Sequence, residues 1–74
     1  MIDELDPVVL ACDLPEHKLT PGDIGNVVLV HNQGEGYEVE FTTLNGETVA
    51  VVTLSAKQVR PVGHDEIAHA RGLA

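Results

Sequence analysis

Seventy-four residues carrying a formal charge of −8 at pH 7 make one small acidic domain, with no room for a second core. Twelve acidic residues against four basic ones work against phosphate. A nucleic-acid surface calls for clustered Lys and Arg that displace counterions, and an anionic membrane disfavours the chain for the same reason.

The apolar content is 43% of the chain but only 3% is aromatic, so Val, Leu, Ile and Ala dominate, and branched side chains favour strands. Residues 6–12, Asp-Pro-Val-Val-Leu-Ala-Cys, read as a short strand. It opens on Pro7, which lacks an N–H and suits a sheet edge. Cys12 is the lone cysteine, read as a buried inert thiol in a reducing compartment. Residues 13–23 form a long polar loop between strands, in which Leu14 and Leu19 fold back onto the core. Pro21, Gly22 and Asp23 close it with turn chemistry.

Residues 24–31 form a second strand, where Gly25 marks a bulge or a tight bend. Residues 32–36 turn the chain. Residues 37–41 alternate strictly: Tyr37, Val39 and Phe41 face inward, Glu38 and Glu40 face water. Asn45 and Gly46 read as a two-residue hairpin loop leading into a strand over residues 47–54. Ser55, Ala56 and Lys57 fit one helical turn, and residues 58–62 a last short strand. Within the tail, residues 63–74, a weak helical pattern runs over 65–70 with Asp65 as its cap. The division expected is a barrel over residues 1–62 and a tail over 63–74, either a short helix or disordered.

Five short strands, a long first loop, a central hairpin and a one-turn helix before the last strand describe a small all-β barrel of the SH3-like kind. Closing the sheet also limits the hazard of exposed strand edges. The segments Asp6-Pro-Val-Val-Leu, Asp13-Leu-Pro-Glu-His, Gly22-Asp-Ile-Gly-Asn-Val-Val, Tyr37-Glu-Val-Glu-Phe, Thr53-Leu, Gln58-Val-Arg-Pro-Val and Glu66-Ile-Ala-His carry a resemblance as an ordered set. They are similar to small bacterial proteins grouped as domain of unknown function 4926. That resemblance implies an SH3-like barrel without assigned activity or catalytic residues. It is compatible with an antitoxin or immunity role in a two-protein pair.

No catalytic constellation is expected. Cys12 and Ser55 lack the local signatures of a nucleophile, and Glu38 with Glu40 reads as a solvated face with ordinary acidity. Pro21 to Gly25 lacks the Lys and the following helix of a phosphate cradle. Among His17, His31, His64 and His69, the last two stand five apart and share no helix face. With one thiol available, neither metal nor cofactor is expected. His64 and His69 are of the type that senses pH, without an assigned role.

The most informative feature is apolar excess. Along residues 27–30 and 49–52 both strand faces are apolar. If Val27 and Leu29 point inward, Val28 and Val30 point out; if Ala50, Val52 and Leu54 face the core, Val49 and Val51 do not. Either Ile67 and Leu73 of the tail cover these valines, or they meet another chain. The function expected is a non-catalytic protein-interaction module. Val28, Val30, Val49 and Val51 would supply the contact, and Glu38, Glu40 and Glu47 the rim. Its partner would be a second protein or a second copy. The alternative, a nucleic-acid or ribosome-associated barrel, rests on fold analogy and is opposed by the charge. An acidic start and the lack of any apolar run near ~20 residues lead to the expectation of a soluble, cytoplasmic protein.

Overall fold

The alternation of residues 37–41 organises the barrel. In a computed structural model, which describes residues 1–73, Tyr37, Val39 and Phe41 are buried, while Glu38 and Glu40 lie on the opposite face. They belong to β3 (Gly36–Thr42), which lies between β2 (Ile24–His31) and β4 (Thr48–Ser55). β1 (Pro7–Leu10) pairs β2 on one side and β5 (Val59–Pro61) on the other. All pairings are antiparallel, in the order β4-β3-β2-β1-β5. This is the all-β, five-stranded plan of a small SH3-like barrel.

The core gathers Val8, Leu10, Val27, Val39, Phe41, Leu54 and Val59 from all five strands. The first loop contributes Leu14 and Leu19, as expected. Their backbones exchange hydrogen bonds of 3.0 and 3.1 Å, closing the loop around a 3-10 turn at Pro15–His17. Cys12 is half-buried against the same core, and Gln58 donates its amide to Sγ at 3.6 Å.

Local expectations shift in several places. β1 is an interior strand; Pro7 opens it opposite Asn26 but outside the β5 ladder, which starts at Val8, so its missing N–H leaves no gap there. Gly25 is a point of close approach. A Cβ there would lie 2.6 Å from Val39 Cγ1 and 2.9 Å from the Glu40 carbonyl oxygen. The bulge itself comes later, between Val27 and Leu29.

The hairpin loop is longer than the Asn-Gly signal suggested. Gly46 N–H donates to the Thr43 carbonyl at 2.9 Å, and Thr43 N–H to the Glu47 carbonyl at 2.8 Å. Gly46 has φ +94° while Asn45 does not enter positive φ. A three-residue loop with glycine in the left-handed position replaces the two-residue turn. Between β4 and β5 the expected helical turn is a simple hydrogen-bonded turn, closed by Gln58 N–H on the Ser55 carbonyl at 3.0 Å. The sole 3-10 turn among the described residues is the one in the first loop.

The tail is not helical over residues 63–73. A short isolated segment does not repay helix nucleation, and side chains hold it in another way. Glu66 accepts from Arg60 at 2.8 and 2.7 Å and from Gly63 N–H at 2.6 Å. Arg71 donates to Asp23 at 2.7 and 2.5 Å and to the Lys18 carbonyl at 3.0 Å.

Candidate interaction surface

Cross-strand register builds the outer face of β2, β3 and β4. One row runs Asn26, Glu40, Val51, and the next runs Leu29, Glu38, Thr53. Glu38 Oε2 accepts from Thr53 Oγ1 at 2.7 Å and lies 2.7 Å from His31 Nε2. Glu40 Oε2 accepts from Thr48 Oγ1 at 2.7 Å. The two carboxylates thus form an ordered acidic rib along β3. Contact with His31, then with the Thr53 hydroxyl, holds the Glu38 carboxyl below its ordinary range. Ordinary acidity was expected of Glu38, and its cross-strand neighbours overturn that.

The valines divide. Val28 is 43% exposed and Val51 54%, so both stand on this face. Val30 and Val49 do not: each is half-buried and packs against the core. The causes are shifts of register. The bulge at Val28 reverses the alternation of β2 beyond it, turning Val30 inward and leaving Leu29 44% exposed. The shift between Phe41 and Thr42 sits opposite Val49 and turns that side chain toward the core. The apolar surface is therefore two strips, Val28 with Leu29 on β2 and Val51 on β4, separated by the Glu38–Glu40 rib. Glu47 stands exposed at the base of the hairpin loop.

The tail does not cover these strips. Ile67 is 93% exposed. With Leu73 it borders a different feature, a groove of about 1040 Å³ lined also by Ile24, Val49 and Val62. Nothing local in the sequence announces this placement, because the Arg71–Asp23 pair spans 48 positions.

His17 ends the 3-10 turn, His31 joins the acidic rib, and His64 and His69 are exposed in the tail. No group of three His, Cys, Asp or Glu side chains converges as a metal site among the described residues. No helix among them is long and apolar enough to cross a membrane.

No curated protein matches the chain significantly, and no solved structure does. A family model does match, over residues 4–61, from the segment before β1 to the last residue of β5. Its description is Domain of unknown function (DUF4926), and with most of the chain covered, the protein belongs to that family.

Proposed function

We propose that the protein is a non-catalytic interaction module whose outer sheet face takes a basic protein partner. One observation carries the reading: exposed Val28, Leu29 and Val51 flank the ordered carboxylates of Glu38 and Glu40. Apolar strips supply desolvation energy on contact, and the fixed carboxylates supply sign and register. Two copies meeting through this face would set carboxylate against carboxylate on chains already at −8, which costs association. A complementary basic surface does not carry that cost. An acidic partner in a two-protein pair, antitoxin-like or immunity-like, fits this polarity. The cytoplasm fits as well, since a lone Cys12 stays a thiol there.

Capture of a stoichiometric partner from the native lysate tests the reading, run beside V28K and E40K. Each substitution is expected to weaken capture by on the order of tenfold, a usual effect for a central contact, with the circular dichroism of the fold unchanged. Added salt is expected to slow association. Equal capture by both variants would sink the assignment of this face. Salt-sensitive RNA binding would favour the nucleic-acid alternative instead.

A further inference from the structure

The sheet has two outer edges, and they differ. With the order β4-β3-β2-β1-β5, the outermost strands are β4 and β5. β5 is protected by being three residues long and by ending in Pro61, which has no donor to offer. β4 has neither device. It runs for eight residues, Thr-Val-Ala-Val-Val-Thr-Leu-Ser, with no charge and no proline. Its ladder is with β3 alone. Among the described residues, no backbone hydrogen bond outside that ladder reaches residues 48–54. Alternate residues of β4 therefore present unpaired N–H and C=O groups at the edge.

Burial fades toward the same edge. Tyr37, Val39 and Phe41 are buried on β3. Of their cross-strand partners on β4, Leu54 is buried but Val52 and Ala50 are only half-buried. Val51, between them, is the most exposed large hydrophobic side chain of the sheet strands. The core is open where the ladder is open.

We propose that β4 pairs antiparallel with β4 of a second copy, joining two five-stranded sheets across a two-fold axis. Local charge at the strand ends argues for a second copy, against the general repulsion of two chains at −8. Glu47 directly precedes β4 and Lys57 follows it by two residues. Antiparallel pairing sets the start of one strand beside the end of the other, so Glu47 of each copy comes near Lys57 of the other. The neutral strand lies between these two attractive ends, and the acidic rib of each copy stands one strand in from the contact, tied to the Thr48 and Thr53 hydroxyls. Val51 belongs both to this contact and to the outer-face reading, whereas Val28 lies on β2, with β3 between it and the β4 edge, so Val28 tells the two apart.

Sedimentation of the full chain over a concentration series, at about 0.15 M salt where the net charges of the two copies are screened, tests the pairing. Wild type is expected to approach twice the chain mass. V51K places a charge on the pairing edge and is expected to abolish the dimer, while V51T, which keeps the branched β-carbon, retains it. K57E is expected to weaken association by on the order of tenfold, and E47K in the same chain to restore it. V28K is expected to remain dimeric, which separates this contact from the outer-face reading. A wild type that stays monomeric at every concentration overturns the proposal and leaves the edge to a strand of another protein. A dimer that survives both V51K and K57E, in chains folded by circular dichroism, also overturns it.

Discussion

Gly25 is where a single hydrogen atom decides the packing. Its β2 neighbours Ile24, Val27 and Val28 are branched, yet this position cannot carry even a methyl group. The space is filled by Val39 Cγ1, the Glu40 carbonyl oxygen and Phe41 Cδ1. A valine methyl can turn aside, but a backbone carbonyl in the β3 ladder cannot move without disturbing the sheet. Gly25→Ala is therefore expected to destabilise the fold by about 1–3 kcal/mol, the usual range for overpacking. Urea unfolding checks this, and an unchanged midpoint would contradict the close approach. The glycine was visible in the sequence as a special position, but its reason was not, because the obstructing atoms belong to a strand 14 or more residues away. Glu38 gives the same lesson in electrostatics. Alternation placed it on the wet face, whereas its lowered pKa comes from His31 and Thr53, which only strand pairing brings to it.

Among the elements, the tail is the clearest case of a segment held by side chains rather than by its own backbone pattern. Glu66 has its carboxyl drawn down from 4.5 to about 2 by the Arg60 guanidinium and the Gly63 N–H. Asp23 is lowered from 3.8, chiefly by Arg71, although partial burial works against this. Both carboxylates have folded-state values below their unfolded ones. What they contribute is thus complete above the ordinary carboxylate range and lost as pH falls through the depressed values. The tail is expected to stay in place from neutrality down to about 4.5 and to come away between there and about 2. Chemical shifts of residues 66–71 followed against pH check this. A tail already free at pH 7, or still bound well below pH 2, would refute the clamp. The weak helical pattern of residues 65–70 was legible but did not prevail, since the ion pairs to Arg60 and Asp23 offer the segment a better arrangement.

At the scale of the whole molecule, the core and the tail are expected to be separable. Every fully buried core residue lies between Val8 and Val59, and the family match ends at residue 61. Exposed ion pairs add little to global stability. Removing residues 63–74 is expected to leave cooperative unfolding with a midpoint close to that of the full chain. Collapse of the transition would show that the tail belongs to the folding unit. A chain of this length buries roughly 60% of its unfolded surface, so the domain depends on its few large core side chains, Phe41 and Leu10 foremost.

The sequence by itself determined the number of the strands and their succession along the chain, the approximate places of the turns and the inward residues of β3. These follow from nearest-neighbour rules: alternation, branched side chains, and glycine or proline at turns. It also determined the acidic character of the chain. The tertiary structure decided which apolar residues remain on the surface. One bulge at Val28 and one shift at Val49 turned two of the four candidate valines inward and left Leu29 out. A register shift inverts every side chain beyond it, and its position depends on a neighbouring strand rather than on the residues that carry it. The open edge of β4 and the seat of the tail are products of the same kind, set by contacts between parts of the chain that no local pattern connects.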